Sequence, residues 1–285
     1  MIRTDVIDLI VKLALREDVG RGDISSSALL DRTKHIRADI EAHENGVLCG
    51  IEIVESVFRH VDENIRFLPV AKDGESVEKD REIAYIEGSA LSILIAERTA
   101  LNFLGHLSGI STLTRQYVDK IKGTRAQILD TRKTTPNLRV LEKYAVVTGG
   151  GVNHRMGLFD QGLIKDNHLR ILKDTPIPVI VANVKKSVLK NTLIGLEVKN
   201  LKELAEAMKS KLDYILLDNM SPELVKEAVA MREKMPPKSR PLFEVSGGVN
   251  LETVRTYAET GIERISIGVL THSSRWLDLS LDIVG

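Results

Sequence analysis

Residues 195–219 read GLEVKNLKELAEAMKSKLDYILLDN, and this stretch decides the fold. A short apolar run at Gly195–Val198 comes first, followed by a helical pattern over Leu201–Ser210 and a second apolar run at Tyr214–Leu217. Apolar runs of this length, separated by a segment of helical periodicity, predict a strand, a helix and a strand. That order of elements predicts two parallel strands in one sheet.

The same alternation extends in both directions along the chain. Further apolar runs predict strands at Gln127–Leu129, Gly162–Ile164, Leu242–Val245 and Ile265–Ile267, and helical patterns cover Pro222–Met231 and Asn250–Thr260. The resulting parallel sheet is expected either to close as a barrel or to stay open as a doubly wound layer. Both architectures bind their ligands at the carboxyl ends of the strands.

A basic segment, Thr131 to His168, begins at one such strand end. It holds six Lys or Arg residues against three acids, whereas the whole chain balances 40 bases with 40 acids. Arg132 and Lys133 follow one predicted strand and Lys165 follows another, and guanidinium and ammonium groups bind carboxylates and phosphates. The segment therefore predicts a site for a small anionic, phosphate-bearing substrate, with a solvated basic surface as the alternative.

Glycine-rich segments offer backbone N–H groups to an anion. Gly149-Gly150-Gly151 comes shortly before His154 and Arg155, and three successive glycines allow a close approach of the backbone to a ligand or to another chain. Ser246-Gly247-Gly248 follows a predicted strand and precedes a helix, and Gly268 follows the next strand. Loops after late barrel strands often hold a phosphate, although an ordinary turn explains the same pattern.

Two acids close neighbouring strands. Glu197 and Asp218 are separated by one strand–helix unit, so parallel strands would bring their carboxylates to the same edge. Such a pair can bind sugar hydroxyls, hold Mg²⁺ or stabilise a positively charged transition state. The alternatives are a helix N-cap for Asp218 and an ion pair at the edge of the core for Glu197.

The first part of the chain has a different pattern. An amphipathic helix is predicted within residues 1–15, and Asp73-Gly74 and Glu87-Gly88 are predicted as turns between short strands of a small α+β domain. The predicted strands are Ile36–Ala42, Gly46–Cys49, Ile65–Pro69 and Glu82–Glu87. A helix from Ser89 to about Leu107 is apolar around most of its circumference, which predicts burial, and it carries Arg98.

Composition argues against several classes of protein. A balanced charge and 4% aromatic residues disfavour binding to nucleic acids or anionic membranes. The single cysteine, Cys49, fits a reducing cytoplasm and is expected in the core, and no apolar stretch is long enough to span a bilayer. Walker, Rossmann, HExxH, CxxC and GxSxG patterns do not occur.

A series of motifs resembles the nicotinate-nucleotide pyrophosphorylase (carboxylating) family, also called quinolinate phosphoribosyltransferases. In the centre of the chain the motifs are DTRKTTP at 130–136, LEKYAV at 141–146, GGGVNHR at 149–155 and LIKDNH at 163–168. Outside it they are AERTALN at 96–102, LSGIST at 107–112, LLDN at 216–219, SGGV at 246–249 and GVLTHS at 268–273. Their order along nearly the whole chain makes the resemblance specific.

The resemblance implies a mixed α/β fold, with an N-terminal α+β sandwich-like domain and an incomplete α/β barrel. The domains are expected at residues 1–110, joined by the tail 275–285, and at 111–274. It also implies a pentosyltransferase of NAD biosynthesis that acts with Mg²⁺. Quinolinate and phosphoribosyl pyrophosphate would give nicotinate mononucleotide, pyrophosphate and CO₂.

The resemblance also implies a role for each site residue. Arg132, His154 and Arg155 would bind the quinolinate carboxylates, with Arg98 joining them from the partner subunit of a homodimer or higher oligomer. The remaining substrate contacts are assigned to Thr131, Lys133, Lys165, Glu197, Asp218, Ser246, Gly247, Gly248 and Gly268. Lys133, Lys165, Glu197 and Asp218 are the expected catalytic group, and the two acids are candidates for Mg²⁺, mainly through the substrate pyrophosphate. A buried ion pair is the alternative for Arg98.

One stretch departs from the family pattern. Residues 170–192 contain Pro176 and Pro178 and look less regular than the family pattern, which leaves the length of one barrel helix undecided.

Two other functional hypotheses remain open. The TRKTTP and GGGVNHR segments also fit a molybdenum-associated group of relatives that would use another aromatic acid. A barrel that binds phosphosugars without turnover is the alternative from a different class.

Overall fold

The computed structural model describes residues 2–31 and 33–284, which form two compact units. The first unit comprises Met1–Arg115, Thr134–Gly150 and Val269–Gly285, and the second comprises Gln116–Lys133 and Gly151–Gly268. The domain prediction placed 111–274 in the barrel, so it differs from these units chiefly at 134–150. This part of the basic segment packs within the first unit instead.

The elements follow the predicted alternation of strands and helices. The helices are α1 (Thr4–Val19), α2 (Ile24–Leu29), α3 (Ile51–Val61), α4 (Ala90–Lys120), α5 (Arg139–Thr148), α6 (Asp166–Ile171), α7 (Ile177–Ser187), α8 (Leu201–Ala207), α9 (Pro222–Glu233), α10 (Val254–Ala258) and α11 (Val269–His272). The strands are β1 (His35–Ala42), β2 (Gly46–Val47), β3 (Arg66–Pro69), β4 (Ser76–Val77), β5 (Arg81–Ser89), β6 (Gln127–Leu129), β7 (Gly162–Ile164), β8 (Ile194–Val198), β9 (Tyr214–Asp218), β10 (Leu242–Ser246), β11 (Arg264–Ser266) and β12 (Leu279–Val284).

The first unit is built on a four-stranded antiparallel sheet in the order β12-β1-β5-β3. The C-terminal strand β12 pairs with β1 from Ala42 opposite Leu279 to Arg37 opposite Val284. The expected return of the tail to the N-terminal domain is therefore confirmed. The predicted turn at Glu87-Gly88 is wrong, because both residues continue β5.

Helix α4 extends well past the predicted end near Leu107. The predicted end was too early because of two glycines, Gly105 and Gly109, since glycine often ends a helix. A Cβ at Gly109 would stand 2.1 Å from the carbonyl oxygen of Arg275, and one at Gly105 would stand 3.0 Å from that of Leu277. These glycines let the returning chain pack directly on the helix backbone, so they mark a close contact rather than a helix stop.

Cys49 is fully buried in the first unit, as predicted. Burial, and then the negative charge of Asp73, raises the pKa of its thiol to about 12. Since the thiolate is the reactive form, we expect no measurable reaction of native protein with a disulfide reagent at pH 8. Denatured protein is expected to release one equivalent of chromophore in the same titration, and rapid labelling of the folded chain would contradict the burial of this side chain.

The second unit contains a six-stranded parallel sheet in the order β6-β11-β10-β9-β8-β7. Strands β6 and β7 are its two edges, so the sheet curls without closing, which confirms the incomplete barrel. The segment 170–192, whose helix length was undecided, forms the end of α6 and then α7, with Pro176 as the N-cap residue of α7. In the part of the chain that the structure describes, no helix is both long and apolar enough to cross a bilayer.

Candidate active site

The strand registers of the second unit bring polar side chains together at one end of the barrel. Ser246 of β10 is level with Asp218 of β9 and with Ser266 of β11, and Glu244 is level with Leu216 and Arg264. Side chains alternate between the two faces of a strand, so positions two residues apart share the inner face. The inner face therefore carries an upper layer with Asp218 and the two serines and a lower layer with Glu244.

These layers enclose a cavity of about 390 Å³ within the second unit, a volume typical of small-molecule sites. It is lined by Thr131, Arg132, Lys133, His154, Arg155, Leu163, Lys165, Glu197, Leu216, Asp218, Glu244, Ser246 and Ser266. Most of the residues predicted for the substrate site thus lie around one cavity. Their distribution over several strand ends explains why they are far apart in sequence.

Arg155 is one of the most enclosed cations of the cavity, with 6% of its surface exposed. Its Nη1 donates to the carbonyl oxygen of Gln161 at 3.3 Å, which fixes the guanidinium at the wall. Burial, and then the charge of Arg132, lowers the pKa of Arg155. Arginine nevertheless stays charged in proteins, so two guanidinium groups repel each other here and an anion between them would relieve that repulsion.

The acids stand at the ends of neighbouring strands, as the sequence predicted. Glu197 is buried and its Oε2 lies 3.4 Å from Nζ of Lys165, so this pair joins an acid and a base of the cavity. Asp218 is the last residue of β9 and is partly exposed. The helix-cap alternative for Asp218 is wrong, because the side chain that caps α9 is that of Ser221.

The glycines after β10 adopt the left-handed backbone region, with φ +91° at Gly247 and +69° at Gly248. A Cβ at Gly247 would stand 2.2 Å from Oδ1 of Asn219, whereas nothing lies within 4 Å of one at Gly248. Gly247, Gly248 and Gly268 are absent from the cavity lining, although Ser246 is part of it. Their predicted role in binding the 5′-phosphate stays a prediction.

The glycine triplet has a packing role in its first part. Gly149 ends α5, and a Cβ there would stand 2.5 Å from the carbonyl oxygen of Ser111, so it lies directly against α4. His154 and Arg155, which follow the triplet, do line the cavity. The close approach predicted for these glycines is therefore, at Gly149, an approach to the protein's own helix.

Two bases of the basic segment, Arg139 and Lys143, lie in the first unit, and so does Arg98, as predicted. Arg139 and Lys143 are on α5, where Nε of Arg139 donates to Thr134 Oγ1 at 2.9 Å and Lys143 is fully buried. Arg98 is on α4, with 65% of its side chain exposed and Nη2 3.6 Å from Oε1 of Glu97. The buried ion pair considered for Arg98 is therefore wrong, although most apolar residues of this helix are buried, as predicted.

The cavity lining includes part of a buried charge network that sequence analysis missed. Glu244 is fully buried; its Oε2 lies 3.0 Å from Nε of Arg264 and its Oε1 lies 3.2 Å from Nε2 of His154 and accepts a hydrogen bond from Ser266. Burial acts to raise the pKa of Glu244, but the contacts with these three residues outweigh it and lower the pKa below the usual range. The carboxylate is therefore ionised at neutral pH.

Tyr214 packs against two members of this network, Arg264 and His154. The Arg264 guanidinium lies 4.6 Å from the centre of its ring, and the His154 ring meets it edge-on at 5.8 Å. A Cβ at Gly195 would stand 2.2 Å from the tyrosine ring, so this glycine makes the space that the ring fills. The signal for this network was a glutamate inside the apolar run Leu242–Val245, which in a buried strand needs a charged partner.

Among the described residues, three potential metal ligands also gather in the first unit. Ligand atoms of Glu41, His43 and Asp80 lie within 4.8 Å of one another, and none of these side chains is buried. Nothing else in the described part of the chain points to a ligand for them.

Comparisons with known proteins agree with the motifs. The family models for the C-terminal and N-terminal domains of quinolinate phosphoribosyl transferase match residues 110–282 and 23–108. A probable nicotinate-nucleotide pyrophosphorylase (carboxylating) of Methanocaldococcus jannaschii is 40% identical, with 96% of both chains covered. The chloroplastic enzyme of that name from Arabidopsis thaliana is 38% identical, over 96% of this chain and 82% of that protein.

Solved structures give the same result. The nicotinate-nucleotide pyrophosphorylase from Ehrlichia chaffeensis is 39% identical and superposes with a TM-score of 0.91, covering 99% of both chains. The corresponding structure from Francisella tularensis has a TM-score of 0.90 at 36% identity and covers 100% of this chain and 98% of that chain. Both domains, their order and the fold are thus shared along the chain, which belongs to the quinolinate phosphoribosyltransferase family.

Proposed function

We propose that this chain transfers the phosphoribosyl group of phosphoribosyl pyrophosphate to quinolinate and forms nicotinate mononucleotide, pyrophosphate and CO₂. The observation that supports it most is the composition of the barrel cavity, where Arg132, Lys133, Arg155 and Lys165 face Glu197 and Asp218. A dicarboxylate needs the bases and a ribose needs the acids, so one cavity accommodates both partners of the reaction.

The basic side binds quinolinate. Its two carboxylates suit the guanidinium forks of Arg132 and Arg155, because such pairs form two parallel hydrogen bonds and fix the plane of the ligand. Leu163 and Leu216 supply apolar surface for the pyridine ring. Lys133 and Lys165, which are exposed at the mouth, remain for the phosphate groups or for a carboxylate.

The acidic side binds the sugar. Glu197 and Asp218 accept hydrogen bonds from the ribose hydroxyls and place negative charge beside C1 as the pyrophosphate leaves. The 5′-phosphate would be held by Ser246 and by the backbone N–H groups of Gly247, Gly248 and Gly268. Gly247 and Gly248 have positive φ, and loops of this kind often present backbone N–H groups to an anion.

Mg²⁺ fits this donor set. Glu197 and Asp218 offer hard carboxylate oxygens, and Mg²⁺ is commonly held by one or two carboxylates together with substrate phosphates. When bound, the ion would neutralise charge on the pyrophosphate and make it a better leaving group.

The chemistry then needs positioning more than a reactive side chain. The ring nitrogen of quinolinate attacks C1 of the ribose, and the C1–O bond to pyrophosphate breaks. When the bond between C2 and its carboxylate breaks, CO₂ leaves and the electron pair stays on C2, where the adjacent positively charged nitrogen stabilises it until C2 takes up a proton. The protein contributes orientation and electrostatic stabilisation, without a covalent nucleophile.

The test combines purified protein with quinolinate, phosphoribosyl pyrophosphate and Mg²⁺ and follows nicotinate mononucleotide by chromatography. We expect one CO₂ for each mononucleotide formed and no product when Mg²⁺ is chelated. Turnover of nicotinate or of another aromatic acid, without turnover of quinolinate, would favour the molybdenum-associated type. Binding of phosphosugars without any product would favour a binding protein.

Arg98 is proposed to complete the quinolinate site from the partner subunit of a homodimer. The proposal is supported by its exposure, since 65% of the side chain is open and its ion pair is with the adjacent Glu97 at 3.6 Å. Exposed pairs of this kind contribute little to stability, so the arginine is available for a ligand. The cytoplasmic location and the absence of nucleic-acid or membrane partners stay predictions.

Mixing two inactive variants tests the shared site. Arg98→Ala chains and Arg155→Ala chains are each expected to be nearly inactive. Each hybrid dimer is expected to regain about half of the activity, because one of its two sites is intact, and an equimolar mixture about a quarter, because about half of its dimers are hybrids. Activity of the mixture is measured after co-refolding, with hybrid formation verified by differential tagging. Hybrids that form without any rescue would show that Arg98 acts within its own chain or not at all.

A further inference from the structure

The buried carboxylate of Glu244, in the cavity lining, has more contacts than charge balance requires. Glu244 belongs to the middle of β10, and its ion pair with Arg264 already compensates both charges. It nevertheless also contacts Nε2 of His154 at 3.2 Å, and His154 lines the cavity. The carboxylate therefore connects Arg264 with His154, a residue of the cavity that the ligand would occupy.

The hydrogen bonds of His154 define its protonation. The backbone N–H of Arg155 donates to Nδ1 of His154 at 2.7 Å, so Nδ1 acts as an acceptor and carries no proton. Nε2 then holds the ring proton and donates it to Glu244. The backbone N–H of His154 donates in turn to Oδ1 of the buried Asp130 at 2.9 Å, so this stretch of chain is held at three points.

We propose that Glu244 is a positioning residue for quinolinate: its carboxylate keeps the His154 proton on Nε2, and Nδ1 then accepts the backbone N–H of Arg155. The inference rests on the proposed function and adds a determinant of its substrate binding. Arg155 is the buried guanidinium of the dicarboxylate site, so its placement relative to the ligand depends on the tautomer of its neighbour. Glu244 acts on the ligand through His154 and Arg155.

An amide cannot replace this carboxylate, because Glu244 faces the Arg264 guanidinium in an ion pair and the His154 ring and Ser266 hydroxyl on its other oxygen. If the amide oxygen introduced by Glu244→Gln faces Arg264, its NH₂ group faces Nε2 of His154 and favours the tautomer with the proton on Nδ1. A proton on Nδ1 would face the backbone N–H of Arg155, so two donors would point at each other and this hydrogen bond would be lost. If the oxygen faces His154 instead, the NH₂ group meets the guanidinium of Arg264, whose side chain is 12% exposed, and two donors are left in contact.

The test measures quinolinate affinity by calorimetry and the His154 ring by ¹⁵N NMR. In the unaltered protein we expect an unprotonated Nδ1 and a protonated Nε2, with the signals assigned by their loss in His154→Asn. Glu244→Gln is expected to shift both signals and to weaken quinolinate binding about tenfold or more, while phosphoribosyl pyrophosphate binds as before.

Glu263→Gln is the matched control. Glu263 also pairs with a buried arginine, since its Oε2 lies 2.6 Å from Nη1 of Arg232, but it does not line the cavity. Both substitutions lower thermal stability, so a purely structural role for Glu244 predicts the same quinolinate affinity in both. Equal affinity, or a protonated Nδ1 in the unaltered protein, would overturn the proposal.

Failure of Glu244→Gln to fold, or of the unaltered protein to bind quinolinate, still leaves a measurement that decides. If Glu244→Gln does not fold, Glu244→Asp keeps a charged partner for Arg264 and shortens the reach to His154, and the same loss of quinolinate affinity is expected. An unaltered protein that binds no quinolinate contradicts the proposed function. The NMR comparison then still decides whether Glu244 sets the tautomer of His154.

Discussion

Replacing Asp218 by asparagine is expected to lower kcat about a hundredfold or more, which is the usual cost of removing one group that stabilises transition-state charge. The substitution keeps the size of the side chain and removes its negative charge beside the ribose. Because that charge matters most when C1 becomes positive, quinolinate affinity is expected to stay within about twofold. Initial rates at saturating substrate and binding measured by calorimetry separate the two effects.

Stability is not expected to explain the loss. Asp218 is partly exposed and does not cap a helix, since Ser221 caps α9, so thermal unfolding should be almost unchanged. Asp119→Asn serves as the control, because its carboxylate forms an exposed ion pair with Lys122 at 2.8 Å. A variant at Asp218 with normal kcat would remove this acid from the catalytic group.

Replacing Arg155 by alanine is expected to act on the other substrate. We expect kcat/KM for quinolinate to fall about a hundredfold or more, in line with the cost of truncating a buried, hydrogen-bonded partner of a charge. The KM for phosphoribosyl pyrophosphate is expected to change little. The kcat/KM of Arg155→Lys for quinolinate should lie between those of the unaltered protein and Arg155→Ala. Lysine keeps the charge but loses the fork that binds a carboxylate with two hydrogen bonds.

The burial of Arg155 is the reason for the size of this effect. Only 6% of its surface is exposed, so water cannot readily take its place beside a bound carboxylate. Arg170→Ala is the matched control, since that side chain is 72% exposed and its Nη2 lies 3.7 Å from Oδ2 of Asp166. Quinolinate affinity that is equal in the two alanine variants would place the dicarboxylate elsewhere.

The sequence predicted the barrel because its strands are short, apolar and separated by helical patterns. The bounds of β6 and β7 match the prediction, and the polar residues after the strands line one cavity. Hydrophobic periodicity and the edge rule for parallel sheets are local properties, so a single sequence contains them.

Other features depend on contacts between distant parts of the chain. The length of α4 was underestimated, because whether a glycine ends a helix or admits a packed backbone depends on residues 275–277. Arg139 and Lys143 lie in the basic segment but pack in the first unit. Glu244 and Arg264 were missed because they sit inside strands rather than after them, and only the strand register reveals that they face each other.

The pairing of β12 with β1 has a consequence for synthesis on the ribosome. Residues 279–284 emerge after every strand of the barrel, so a nascent chain carries one edge of β1 unpaired until they appear. Exposed edges are templates for pairing with other chains. The strands of the six-stranded sheet all lie within residues 127–266, so that sheet can be completed earlier. The N-terminal sheet is thus completed after the sheet of the barrel.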